Sequence, residues 1–181
     1  MLAPIPMWLR SSCVFTICMV LLSGCALPAS VTMPVPLDSP VVNSLVVQQA
    51  REGLISPLAV GDFTPIEGKD AAVAETTYLR DTLLVDLQGA RLLDPAATLV
   101  ITGQLVHTQM DKGYATVAAR FIVTQQGGRV RYERELRASS TWVPALGTVG
   151  ARWAAKEQSE VYQKLLGQLF SDPGFRAALQ R

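Results

Sequence analysis

The chain has 181 residues, with 16 Lys and Arg against 15 Asp and Glu, for a net charge of +1. The two signs are mixed along its length, which excludes the basic block of a nucleic-acid binder and the acidic run of a solvating tail. With 49% apolar residues and only 3 cysteines, a chain of this length is expected to be held by one hydrophobic core rather than by a disulfide framework.

The N-terminus carries the most specific signal. Arg10 supplies a positive flank, and Val14 to Leu22 is an uncharged apolar run that ends in Leu22-Ser23-Gly24-Cys25. A charged start, a short apolar stretch and small residues at the cut describe a secretory signal. The run is too short to span a bilayer, which takes about 20 apolar residues. Cysteine directly after Leu-Ser-Gly resembles the lipobox of bacterial lipoprotein signals. That resemblance implies cleavage between Gly24 and Cys25 and lipidation of Cys25, which becomes the first residue of the mature chain. Residues 1–24 are therefore read as signal, and cleavage also removes Cys13 and Cys18. Residues 25–40 contain Pro28, Pro34, Pro36 and Pro40 and read as an extended tether, at about 3.1 Å per residue. Residues 41–181 read as a single α+β domain.

Within that domain, Ser39-Pro40 suits the start of a helix, with Ser39 as cap, Pro40 at the first helical position, Val41, Val42, Leu45, Val46 and Ala50 near helical spacing and Gly53 as its stop. Leu58 to Phe63 reads as a short strand. Thr76 to Ala90 reads as an amphipathic helix, with Leu79, Leu83 and Leu87 on one face, and Asp94-Pro95 stops it. Three strands follow, at Thr98 to Met110, Tyr114 to Gln125, and Val130 to Trp142. The middle strand alternates cleanly, with Val117, Ala119, Phe121 and Val123 on one face. Asp111-Lys112-Gly113 and Gly127-Gly128 are turn signals. Arg134 interrupts the apolar face of the last strand, which a bulge or a snorkelling side chain would explain. Val143 to Gly150 reads as a loop, Ala154 to Phe170 as a second long helix, and Phe175 to Leu179 as a last turn or short helix.

The order β-α-β-β-β-α predicts a two-layer α+β sandwich, with a mainly antiparallel four-stranded sheet and two helices on one face. Whether the first strand is central or at an edge is open in the sequence.

Candidate chemistry is sparse. His107 is the single histidine and has no partner pattern of a hydrolytic triad or zinc site. Glu133 and Glu135, beside Arg131 and Arg137, read as a solvated charge ladder rather than an acid–base pair. Gly147-Thr148-Val149-Gly150 lacks the Lys-Ser/Thr ending of a phosphate loop. No metal site, cofactor or catalytic residue is predicted. One stretch is out of place: Trp142 to Val149 puts apolar residues into a predicted loop. It either folds back over the sheet or exposes a patch for a partner or membrane. Trp142, Val143, Leu146 and Val149 are its candidate contact residues.

This layout resembles small bacterial outer-membrane lipoproteins of the YajG type. The resemblance rests on the lipobox and Pro-containing spacer, on Thr76-Tyr78-Leu79 with Leu83 and Leu87, and on the paired strands around Thr98–Gln109 and Tyr114–Gln125. The Arg137-Ala138-Ser139 strand end and the terminal Ser171-Asp172-Pro173-Gly174-Phe175 complete it. It implies an address and a fold and carries over no catalytic residue. The expectation is a non-enzymatic accessory lipoprotein of the cell envelope, on the periplasmic face of the outer membrane, binding a protein or an envelope lipid and no nucleic acid. The alternatives are an auxiliary subunit of an envelope transport system and, third, an envelope-modifying hydrolase or acyltransferase.

Overall fold

A computed structural model describes residues 39–52, 56–65, 72–111, 113–144 and 147–180. The elements in chain order are α1 (Ser44–Arg51), β1 (Ala59–Thr64), α2 (Ala72–Gly89), β2 (Leu99–Asp111), β3 (Tyr114–Gln125), β4 (Arg129–Thr141), α3 (Gly147–Ser171) and α4 (Pro173–Leu179). The strands form one sheet in the order β1-β2-β3-β4.

The sheet is mixed. β2, β3 and β4 pair antiparallel through two hairpins, but β1 pairs parallel to β2. Parallel neighbours need a crossover connection, and α2 supplies it. β1 is thereby an edge strand, which settles the point left open by the sequence. Its ladder is extended by Leu58, which is fully buried and bridges to Leu93.

The helices cover one face of the sheet, and on β3 Thr116 and Ala118 of the other face are buried as well. α2 packs on β1 and β2, and α3 on β3 and β4. Ile101, Leu105, Val117, Ala119, Phe121 and Val123 point into the core with Leu79, Leu83 and Leu87 of α2 and Val161, Tyr162, Leu165 and Leu166 of α3. The expected sheet face of Phe121 is thus observed. The opposite face carries exposed Gln104, Arg120, Glu133, Glu135 and Arg137. Apart from Thr116 and Ala118, one-sided burial of this kind is what strict alternation in an antiparallel sheet specifies.

Gly103 explains how the aromatic part of the core fits. It lies opposite Phe121 on β3 and beside Phe63 on β1. The two rings meet edge to face with centroids 6.4 Å apart. A Cβ on Gly103 would run into the Phe63 ring, so the glycine is the gap the ring occupies.

The hairpin signals are borne out. Gly127 and Gly128 both take positive φ, at 97° and 86°, a backbone region cheap only for glycine. The end of α2 is closed differently: Arg91 adopts φ 58° and the Leu92 N–H donates to the Leu87 carbonyl at 2.8 Å. This is the αL closure that usually takes glycine.

Several expectations need correction. Among the described residues the helical layer holds four helices, because the two short ones read in the sequence, α1 and α4, pack with the two long ones. α1 starts at Ser44, later than the Ser39-Pro40 signal implied, because Asn43 caps it: the Asn43 side-chain oxygen accepts from the Leu45 N–H at 3.0 Å. α2 starts at Ala72 and β4 ends at Thr141. Finally, residues 147–150, expected in a loop, form the first turn of α3. The glycines at 147 and 150 masked its helical character, since glycine is a poor helix former.

Candidate functional site

The sequence nominated Gly24, Cys25, Trp142, Val143, Leu146 and Val149. Gly24, Cys25 and Leu146 lie outside the described residues. Val149 sits in the first turn of α3, so the predicted contact loop is shorter than expected and its last nominee belongs to a helix. Trp142 and Val143 follow the end of β4, and the structure treats them oppositely.

Trp142 is half-buried and packs against the core. Its N–H donates to the Gly113 carbonyl at 2.9 Å, which ties the chain leaving β4 to the β2–β3 turn. Gly113 has φ 86°, and a Cβ there would meet the Trp142 carbonyl oxygen at 2.7 Å. The turn and the exit segment are therefore packed backbone to backbone. Val143, the next residue, is 89% exposed. Trp142 thus folds back while Val143 projects.

Two further apolar residues join this end of the domain. Tyr114 opens β3 directly opposite Thr141 and is partly exposed. Its hydroxyl bonds Thr116. Trp153 of α3 is 56% exposed. It lies one helical turn before Glu157, whose carboxylate accepts from Ser140 Oγ at 2.9 Å, two residues before Trp142. Sequence reasoning missed Trp153, although a signal was present. It stands between Arg152 and Ala154, off the stripe that later carries Val161, Leu165 and Leu169, and a large aromatic off the buried stripe faces water.

Elsewhere the polar residues do structural work. Asp172 is buried and caps α4, accepting from the Gly174 N–H at 2.7 Å and the Phe175 N–H at 3.3 Å. It also accepts from Tyr132 Oη at 3.3 Å and from Arg134. Burial would raise its carboxyl, but the Gly174 N–H, Arg134 and the Phe175 N–H outweigh that and hold it below the usual carboxylate range. Burial first, then the Asp172 charge, push the Tyr132 hydroxyl up. The Arg134 interruption of β4 is thereby explained by snorkelling, because its head reaches an anion while most of it stays solvated. A bulge is present too, but it falls at Arg131, between the Tyr132 and Val130 pairs with β3.

Asp86 in α2 is fully buried and accepts from the Asn43 N–H at 2.7 Å. Burial pushes its carboxyl up to about 6, against the Asn43 hydrogen bond, which lowers it. Tyr162 is buried against Tyr78, with ring centroids 5.1 Å apart. Burial and then the nearby Glu75 charge raise its hydroxyl, while Thr108 on β2 counters in part.

His107 lies on the solvated sheet face opposite Ala118, where the β2–β3 register shifts. Glu133 and Glu135 are exposed, and Glu133 sits 3.7 Å from Arg120, as a charge ladder requires. Among the described residues, no group of three His, Cys, Asp or Glu side chains could hold a metal ion, and no helix is long and apolar enough to cross a membrane. A cleft of about 410 Å³ opens near Pro57, Asp94, Thr98 and Arg131. Another of about 490 Å³ runs between β4 and α3, beside Arg137, Ser139, Lys164 and Gln168. Neither is lined by His107.

No protein-family model and no curated protein matches the chain. Among solved structures it is similar to a DUF330 protein from Xanthomonas campestris, at 12% identity over 65% of this chain and 84% of that one, with a TM-score of 0.45. A Caulobacter crescentus protein provisionally described as a lipoprotein matches at 13% identity over 74% and 97%, with a TM-score of 0.43. The lipoprotein GNA1162 from Neisseria meningitidis matches at 8% identity over 65% and 99%, with a TM-score of 0.31. Likenesses this distant leave function to be argued from this chain's own residues.

Proposed function

We propose that this chain is a non-enzymatic accessory lipoprotein of the bacterial cell envelope. Lipidated Cys25 tethers it to the outer membrane facing the periplasm, and it engages an envelope protein or lipid through the apolar end where β4 leads into α3. The Leu22-Ser23-Gly24-Cys25 motif carries this reading, since several acyl chains at about 0.8 kcal/mol per buried CH₂ anchor a domain stably. Ala26 follows the cysteine, where Asp would resemble an inner-membrane retention signal. Exposed Val143 and Trp153 supply the contact surface, because tryptophan is enriched at binding hot spots. The residue pattern aligns the chain with lipoproteins of the YajG type.

The test has two arms. Fractionation of cells expressing the Cys25→Ala variant should find it unprocessed or soluble, and a processed, membrane-bound variant would reject the anchor. In native membranes, Val143→Ser with Trp153→Ser should lower crosslinking to neighbouring envelope components while circular dichroism stays unchanged. Unchanged crosslinking by the folded variant would reject this surface.

A further inference from the structure

β4 is an edge strand of 13 residues. Such an edge leaves half of its backbone N–H and C=O groups without a neighbouring strand. The cleft between β4 and α3 runs alongside Arg137, Ala138 and Ser139, so the helical layer leaves this part of the edge open. The outward-facing side chains carry both signs, with Glu133, Glu135 and Arg137 all exposed on the sheet face away from the helices.

Two copies of one strand pairing antiparallel must do so about a two-fold axis. Residues directly opposite share a sheet face, so the axis passes through a residue. The charges then discriminate between registers. An axis at Glu133, Glu135 or Arg137 sets that charge against itself. An axis at Arg134 sets Glu133 against Glu135. An axis at Tyr132 opposes unlike charges, but it needs the irregular stretch at Arg131, where the β3–β4 pairing slips. An axis at Leu136 sets Arg137 against Glu135 twice and Glu133 against Ser139, all within the regular part of the strand. It also brings the two half-buried Leu136 side chains together on the core face.

We infer that the β4 edge is a self-association surface, on which a second copy of this chain adds its own β4 antiparallel with the axis at Leu136. The eight-strand sheet so formed would remove the exposed edge, and its register would be selected by the two Glu135–Arg137 pairs. Unlike cross-strand pairs stabilise and like ones destabilise, so reversing one member of each symmetric pair is expected to weaken the dimer by about tenfold or more.

The experiment measures the mass of the full-length chain, purified in detergent, by light scattering across a concentration series with the detergent mass subtracted. Wild type should approach twice the monomer mass. Glu135→Arg and Arg137→Glu alone should each shift the half-point of association upward by about tenfold or more. The double variant Glu135→Arg/Arg137→Glu, which restores unlike pairs, should return it to within about threefold of wild type. Thermal melts confirm that each variant is folded; should Glu135→Arg unfold because it sets like charges opposite Arg120 on β3, Arg137→Glu alone still decides. A wild type that stays monomeric, a single variant that associates as well as wild type, or a folded double variant that does not recover would each overturn the inference.

Discussion

Arg134 and Asp172 lie 38 positions apart, and their contact ties the sheet to the last helix. Arg134 rises from the core face of β4 opposite Phe121, and its guanidinium reaches the carboxylate that also caps α4. Tyr132, two residues earlier on the same face, donates to the same carboxylate and packs edge to face on Phe175 with centroids 5.4 Å apart. The charge that breaks the apolar pattern of β4 is therefore the polar half of the joint that docks the C-terminus.

The two partners should not contribute equally. The Arg134 side chain is 59% exposed, so water screens its attraction, and Arg134→Ala is expected to cost about 1 kcal/mol or less. Asp172→Ala strips the acceptor from two helix N–H groups and a buried tyrosine at once, and should cost about 2–3 kcal/mol. Urea denaturation of both variants measures this. Equal losses would mean that the ion pair, not the cap, holds the joint.

The two buried carboxylates give opposite pH dependences. Asp172 is held below its ordinary range, so the stability it contributes is present above the unfolded carboxylate value and is lost as pH falls through its folded one. Asp86 is pushed up to about 6. Its folded state holds the proton more tightly than the unfolded chain does, so its contribution declines as pH rises from about 4 to about 6. Two units correspond to at most about 3 kcal/mol. Asp86→Asn, which still offers an oxygen to the Asn43 N–H, should flatten that decline and raise stability at pH 7 relative to pH 4. Melting temperatures across pH 4–8 check this, and an unchanged slope would show that Asp86 ionises freely.

What the sequence disclosed depended on how far each signal reached along the chain. The alternation of Val117, Ala119, Phe121 and Val123 and the Gly127-Gly128 turn are local, and both features stand in the structure as expected. The spacing of Leu79, Leu83 and Leu87 placed the first long helix for the same reason. The parallel β1–β2 pair was not legible, because nothing in Leu58 to Phe63 says which neighbour it will meet. Asn43 as the cap of α1 was hidden for a similar reason. Its position is fixed by Asp86, 43 residues away, rather than by the flanking Ser39-Pro40. In the Trp142 to Val149 stretch, composition could not separate one member from the next. Trp142 is held by Gly113 across the β2–β3 turn, a contact no local pattern encodes, while Val143 has no such hold and projects.

The aromatic core around Gly103 should be intolerant in both directions. Phe121→Ala removes a fully buried ring and should cost about 3–5 kcal/mol. Gly103→Ala adds one methyl where the Phe63 ring lies, and should cost about 1–3 kcal/mol through overpacking. Combining Gly103→Ala with Phe63→Leu gives the methyl room and should recover part of that loss, since contacting residues are not additive. Denaturant midpoints of the two single variants and the double test the arrangement. Full additivity would mean that the methyl and the ring do not compete for space.

Trp142 and Val143 should separate cleanly under mutation, although the sequence presents them as neighbours in one apolar run. Trp142→Ala empties a half-buried site against the core and removes packing that accompanies the Gly113 backbone contact, so a loss of about 2–3 kcal/mol is expected, below the range for a fully buried aromatic. Val143→Ser changes a side chain that is 89% exposed and should leave stability within about 0.5 kcal/mol. Crosslinking in membranes should respond in the opposite order once corrected for folded fraction, with Val143→Ser lowering it and Trp142→Ala lowering it only as far as the fold is lost. Matching stability losses in the two variants would place Val143 in the core. It would then move the proposed contact surface away from the end of β4 and toward the solvated face of α3 around Trp153.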